Sequence, residues 1–192
     1  MHYASVSFTH KNTDISVREK LSFSNIERKN EILRLISSSQ NINECMVLST
    51  CNRVEIIASV KTVEGASKHI IACMSLICGI PFEELQSRAD IYEDNGAVHH
   101  LFAVASSLDS LVIGETQIAG QLKEAYKFAR SDGKCGAKLG RAMEFAFKCA
   151  AEVRNKTDIS KNPISVSSVA VAKAKEIFGS LNGMEAVIVG SG

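Results

Sequence analysis

From Tyr3 to Thr9 polar and apolar residues alternate, with Val6 and Phe8 on one side, and this period of two predicts a strand. Between Ser24 and Ile36, Ile26, Leu33 and Ile36 recur near helical spacing, which predicts a helix. Two apolar, β-branched segments follow, Met46 to Ser49 and Val54 to Val60, separated only by Thr50, Cys51, Asn52 and Arg53; this is the outline of a hairpin. A second helix is predicted from about Val63 to Cys78, with Gly79 and Pro81 as stop signals, and Ala89 to Tyr92 supplies a fourth short strand. The order β-α-β-β-α-β is that of the ferredoxin-like split unit, so a helix-backed antiparallel sheet is expected.

From Gly96 the period changes to that of helices. Val98, Leu101, Phe102 and Ala105 form one predicted apolar face. Ile118, Leu122, Ala125, Tyr126 and Ala129 form a second; Leu139, Met143, Ala146, Ala150 and Val153 form a third, after a break at Asp132-Gly133. The stretch from Thr157 to Ser168 is polar, contains Pro163 and reads as a connector. An Ala-rich helix over Val169 to Phe178, a turn at Leu181-Asn182-Gly183 and a strand at Ala186 to Val189 come next. Gly190, Ser191 and Gly192 follow that strand. A strand running into G-x-G is how a dinucleotide-binding βαβ unit opens, although a strand ending in a Gly-Ser tail gives the same letters. The expected class is therefore α+β: a ferredoxin-like sheet with a helical C-terminal half, then the first helix and strand of a Rossmann-type domain. The expected division is a domain over 1–156 and a connector with the start of a second domain over 157–192, cut inside its nucleotide motif.

Composition narrows the class. Hydrophobic residues are 45% and charged residues 22% of the 192, ordinary globular values that argue against intrinsic disorder. No apolar run approaches the ~20 residues of a membrane span, and the opening residues lack a signal-peptide layout, so a cytoplasmic protein without membrane attachment is expected. The net charge of +1 is uninformative overall, but residues 120–161 hold ten Lys or Arg against five Asp or Glu. Lys123, Lys127 and Arg130 run along one helix face with Lys134 just beyond, a stripe that suits phosphate contacts, although a solvated face is the commoner cause of such a pattern. Tyr126 and Phe128 are read as lying off the stripe.

None of the six cysteines makes a C-x-x-C pair, so neither a metal site nor a disulfide framework is signalled. Cys73 and Cys78 lie in an apolar stretch and read as core residues. Cys51 stands apart, in a turn between strands with Arg53 two residues on, a charge that favours the nucleophilic thiolate. Thr50 and Asn52 beside it can orient an acyl group, and Arg53 can grip a carboxylate bidentately; an incidental turn cysteine is the alternative. His99 and His100 open a helix and diverge by about 100°, so at most one faces a site. Between Ser106 and Gln121, Thr116 is an N-cap candidate, and Ser110, Glu115, Gln117 and Gln121 are candidates for a pocket that takes an amino acid.

Three stretches as they stand, LSTCNRVEI (Leu48 to Ile56), HLFAVASSLDSLVIGETQIAGQ (His100 to Gln121) and the terminal VIVGSG, resemble in order and spacing the glutamyl-tRNA reductase family, which begins tetrapyrrole synthesis from glutamate. Ser107, where the family commonly has glycine, and Thr116, where many members have proline, depart from the pattern. So does length, since the family continues through an NADPH-binding domain and a helical dimerisation region.

The resemblance implies a two-step reaction. The Cys51 thiolate would take glutamate from the tRNA ester as a thioester, and hydride from NADPH would reduce it to glutamate-1-semialdehyde. It implies His100 as the functional histidine and Arg53 as the partner of the glutamate side-chain carboxylate. Thr50, Asn52, Ser110, Glu115, Thr116, Gln117 and Gln121 would line the pocket, and Gly190, Ser191 and Gly192 would begin the cofactor site, with no metal. It also implies a homodimer and contact with the aminomutase that consumes the semialdehyde. A chain of these 192 residues is expected to accept glutamate without reducing it. Two other readings are a cysteine acyl-transferase or thioesterase without a redox step, and a non-catalytic tRNA-binding module.

Overall fold

The structure, a computed structural model, describes residues 2–115, 117–159 and 166–187. Four strands, β1 (His2–Thr9), β2 (Ile42–Ser49), β3 (Arg53–Val60) and β4 (Asp90–Glu93), form one sheet in the order β2-β3-β1-β4, and every neighbouring pair is antiparallel. This is the arrangement expected from the β-α-β-β-α-β order. Its two crossover helices are α2 (Ile26–Ile36) and α3 (Ala66–Cys78). Asn25 caps α2, its side chain accepting from the Arg28 amide at 2.7 Å, and Gly79 ends α3 with left-handed backbone. Two seven-residue helices, α1 (Ile15–Leu21) and α4 (Phe82–Arg88), lie where the periodicity gave no signal, being too short to show one.

The sheet is covered on both faces. Ala4, Val6 and Phe8 of β1 share one face with Val54, Ile56, Ala58 and Val60 of β3. On this side the Cys45 thiol of β2 points at the Leu33 carbonyl of α2, 3.7 Å away. The opposite face carries Ser5, Ser7 and Thr9 beside Arg53, Glu55, Ile57 and Ser59. Strict alternation would turn these polar positions to water, yet all are buried. The cover comes from the second half of the chain. Helix α5 (Asn95–Ala105) packs on β1 and β4, α6 (Gln117–Ser131) on β2, and α7 (Ala137–Lys156) on β2 and β3. The result is a helix–sheet–helix sandwich with one continuous core.

The helical faces follow the predicted periods with one shift. On α5 the buried set is Ala97, His100, Leu101, Val104 and Ala105, while Val98 and Phe102 are only half-buried. The rotation puts an imidazole into the core, because a carboxylate waits for it on the sheet. Helix α8 (Val166–Phe178) begins three residues before the predicted Val169. Of the predicted last strand, Ala186 and Val187 adopt no regular structure, and Ile188 and Val189 lie outside the described residues, as do Pro163, Thr116, Gly190, Ser191 and Gly192. Among the described residues no helix is long and apolar enough to cross a membrane.

One side chain of the sheet meets the start of α7 directly. Glu44, beside an irregularity in the β2–β3 pairing, accepts from the amides of Lys138 and Leu139 at 3.1 and 2.7 Å, the exposed donors of the first turn of α7. Glu44→Ala is expected to lower unfolding free energy by about 1–2 kcal/mol, measured by urea denaturation, with the helical content of the native state unchanged.

Candidate active site

Thr50 places Cys51 at the tip of the β2–β3 turn. The Thr50 amide donates to the Arg53 carbonyl at 2.8 Å, and its hydroxyl accepts from the amides of Asn52 and Arg53 at 3.2 and 3.1 Å. A short hydroxyl side chain bonded to backbone just ahead of it stabilises a tight turn. The neighbouring β1–α1 segment anchors this turn: the His10 amide donates to the Asn52 carbonyl at 3.1 Å and Arg18 Nε to the Cys51 carbonyl at 3.4 Å. Cys51 is left as the exposed thiol of the six. Burial pushes the Cys45 and Cys135 thiols up to about 12 and that of Cys73 up to about 11, which leaves them inert at neutral pH.

Beside Cys51 opens a cleft of about 210 Å³. Thr50, Cys51, Asn52, Arg53, Ser110, Glu115, Gln117 and Gln121 all line it, so the turn and the later stretch singled out in the sequence do converge. Thr116 lies outside the described residues. His10, Leu111, Ile118 and Ser167 complete the walls. Ser110 Oγ is shielded from water and has no protein partner, a hydroxyl left for a ligand group to satisfy.

The far wall is the loop between α5 and α6. Helix α5 ends in crossed bonds, Ser107 amide to Val104 carbonyl at 3.0 Å and Leu108 amide to Ala103 carbonyl at 2.9 Å, with Ser107 in left-handed backbone at φ +62°. Glycine suits that position by conformation. Here the Ser107 hydroxyl offsets the strain by donating to the Glu115 carbonyl at 2.6 Å, which ties the two ends of the loop together. Gly114, at φ +88°, must be glycine for a second reason: a Cβ there would collide with the Ile159 carbonyl.

Arg53 differs from the expectation of a free guanidinium. It is buried; Nη1 donates to Glu55 Oε2 at 3.1 Å, and Nη2 donates to Asp109 Oδ2 at 2.9 Å and to the Asp109 carbonyl. Its charge is committed to two carboxylates rather than aimed at the Cys51 thiol. Burial alone would raise Asp109, but Lys11 and Arg53 outweigh it and hold the carboxyl below its ordinary value.

His100 also departs from expectation. It is not among the residues that line the cleft; it lies buried behind it, stacked on Tyr92 with ring centroids 4.0 Å apart. Its Nε2 is 3.0 Å from Glu55 Oε1, at ion-pair distance though out of line for a hydrogen bond. The histidine that does line the cleft is His10, which carries no sequence signal beyond its place in a loop. Burial lowers the His10 pKa, and the positive charges of Lys11, Arg18 and Arg53 lower it further.

Glu55 is the larger omission from the sequence reading. Fully buried at the centre of β3, it meets Arg53, His100, the Ser5 hydroxyl at 2.8 Å and the Ser7 hydroxyl at 3.4 Å. Its only signal was a charged residue inside an otherwise apolar strand. The basic stripe belongs elsewhere. Lys123, Lys127 and Arg130 line a groove between α6 and α7, away from Gln117 and Gln121. Tyr126 lies on that stripe after all, its hydroxyl accepting from Arg130 Nη1 at 3.3 Å, because residues 123, 126, 127 and 130 share one helix face. Among the described residues no cluster of His, Cys, Asp and Glu is arranged to hold a metal.

A helix–sheet–helix sandwich whose β2–β3 hairpin holds one exposed thiol over a small polar cleft defines a cysteine-presenting α+β domain. Residues 6–157 match the family model described as Glutamyl-tRNAGlu reductase, N-terminal domain. Curated relatives called glutamyl-tRNA reductase include those of Campylobacter fetus and Campylobacter concisus, each 66% identical over all of this chain and over 46% and 45% of their own length. A solved structure titled Glutamyl-tRNA Reductase from Methanopyrus kandleri superposes with a TM-score of 0.68 at 30% identity, over 93% of this chain and 40% of that one. The chain belongs to the glutamyl-tRNA reductase family. It spans about half the length of the curated relatives it matches.

Burial acts most strongly on Glu55 and would raise its pKa, but His100, Arg53 and the Ser5 hydroxyl together hold the carboxyl below the usual glutamate range. A carboxyl depressed in the folded state stabilises it at pH above the unfolded value of about 4.3, and that contribution disappears as pH falls through the lower folded value. Glu55→Gln is expected to cost about 2 kcal/mol near neutral pH, because it removes one of the two carboxylates that satisfy the buried Arg53. The gap to wild type should begin to narrow below about pH 4 and close only as pH falls through the lower folded value. Urea unfolding of both proteins at pH 7 and pH 3.5 checks the size and the sign.

Proposed function

We propose that this domain takes the glutamyl group from glutamyl-tRNA onto Cys51, as the first half of the reductase reaction that starts tetrapyrrole synthesis. The observation that carries the reading is the exposed Cys51 thiol at the mouth of a cleft that also holds Arg53, Glu115 and the unpartnered Ser110 hydroxyl. A glutamyl group has a carboxylate and an ammonium. Arg53, held at the wall by Glu55 and Asp109, faces the carboxylate together with Asn52 and Ser110. Glu115 faces the ammonium, with the Gln117 and Gln121 amides completing the shell.

The thiol proton must leave before attack. His10 lines the same cleft, and its lowered pKa keeps the imidazole neutral and able to accept at neutral pH. The thiolate then forms a C–S bond at the ester carbonyl, the bond from that carbon to the ribose oxygen breaks, and the departing oxygen takes up the proton. His100 acts from behind the cleft as a positioning residue, holding Glu55 and through it Arg53.

NADPH supplies the hydride that reduces the thioester to the semialdehyde in the complete reductase. Gly190, Ser191 and Gly192, proposed to begin its site, lie outside the described residues, and a cleft of about 210 Å³ is below the ~300 Å³ of a typical small-molecule pocket. The described residues at Cys51 therefore do not fit a dinucleotide.

The full-length reductase, mixed with tRNA charged with labelled glutamate in the absence of NADPH and quenched in acid, should carry hydroxylamine-sensitive label. Cys51→Ser should carry none; label of equal size on that variant would sink the reading. His10→Gln should slow labelling about a hundredfold at pH 7, and the deficit should shrink as falling pH protonates His10 in the wild type, below the ordinary histidine value of about 6.5. A loss constant across pH would remove His10 from the proton transfer.

A further inference from the structure

Cys51 borders two clefts. The second, of about 270 Å³, opens on the α1 side of the turn and shares only Thr50 and Cys51 with the first. We infer that this second cleft is the leaving-group site, holding the 3′-terminal nucleoside of the charged tRNA while its glutamyl group lies in the first. The inference rests on the function proposed above.

The argument is geometric. An ester carbonyl carbon carries two arms, the acyl chain and the alkoxy group, and both radiate from the atom that the sulfur attacks. With the acyl arm in the Arg53–Glu115 cleft, the ribose arm projects across the nucleophile to its other side. The first cleft, at about 210 Å³, is the smaller of the two and is the one lined by Arg53 and Glu115.

The lining of the second cleft suits that occupant. Ile15, at the start of α1, is 65% exposed and is not needed by the core, so it offers an apolar face to a base. Arg18 is half-buried, with Nε on the Cys51 carbonyl and Nη1 on the Thr13 carbonyl. Its guanidinium is thereby fixed beside the reacting atom, where a planar cation can stack on a base or meet the 5′ phosphate. The Glu19 carboxylate is an acceptor for a ribose hydroxyl, and the Ser22 and Ser24 hydroxyls supply groups for a base edge. Because Arg18 holds the Cys51 carbonyl, occupation of this cleft and the position of the nucleophile are mechanically linked.

The test uses the full-length reductase, with Cys51 acylation followed by acid quench from two donors: glutamyl-tRNA, and glutamate α-ethyl ester, which has the acyl arm and no nucleoside. Ile15→Asp changes an exposed residue outside the core. It should raise KM for glutamyl-tRNA about tenfold while acylation by the ethyl ester stays at the wild-type rate. The trinucleotide CCA should protect wild-type Cys51 from glutamyl-tRNA, and about tenfold more should be needed with Ile15→Asp or Arg18→Gln. The inference is overturned if KM for glutamyl-tRNA and CCA protection are unchanged in both variants. It is also overturned if Ile15→Asp slows both donors alike, or if KM for NADPH rises in place of that for tRNA, which would give the cleft to the nicotinamide. Failure of the wild-type enzyme itself to take label from glutamyl-tRNA would instead remove the proposed function, whatever the variants do.

Discussion

A single buried carboxylate organises this domain. Glu55 has no contact with water, and an unpaired charge in that position would cost several kcal/mol. Satisfying it recruits Ser5 and Ser7 from the neighbouring strand, Arg53 from two residues back and His100 from a helix that arrives much later in the chain. Each demand constrains something else. The serines set what β1 can present on that face, His100 sets the rotation of α5, and Arg53 is drawn inward so that its other edge meets Asp109 in the cleft loop. The charge network thus joins the sheet, the helical half and the site wall into one unit.

The cleft is the meeting point of two designs of different stiffness. The Cys51 turn is short and over-bonded, with the Thr50 hydroxyl serving two amides and two anchors arriving from the β1–α1 segment. The opposite wall is a longer loop held by its own ends, through the Schellman bonds after α5 and the Ser107–Glu115 hydrogen bond. A reaction that must place one sulfur against one carbonyl gains from the first kind of support. Recognition of an amino acid's charged ends gains from the second, where Ser110, Glu115 and the α6 amides converge from one segment.

Much of this was legible in the linear pattern. The alternation of β1, the hairpin around Cys51 and the helix faces of α6 and α7 are local periodicities, and they survived folding nearly unchanged. The Cys51, Arg53 and Ser110–Gln121 groups were legible as chemistry, and they do share a cleft. The misreadings have a common physical origin. Alternation says which residues share a face and not whether that face meets water, so nothing in it shows that a second helical layer buries Ser5, Ser7, Glu55 and Ser59. His100 was singled out by resemblance alone, because nothing local marks a histidine that points at a carboxylate on another element. His10 was passed over because its importance lies in what the turn brings beside it.

The sequence by itself determined the strand and helix periods and the residue types at the turn that carries Cys51, since these depend on neighbours within a few positions along the chain. Only the tertiary structure decided that the polar side of the sheet is interior, that Arg53 is bound to Glu55 and Asp109, and that Cys51 divides two clefts. Those outcomes depend on which segments meet across 45 to 56 positions, as from Glu55 to His100 or from Arg53 to Asp109. Desolvation makes such meetings decisive: a charge that is tolerable anywhere on a surface has, once buried, few arrangements that satisfy it.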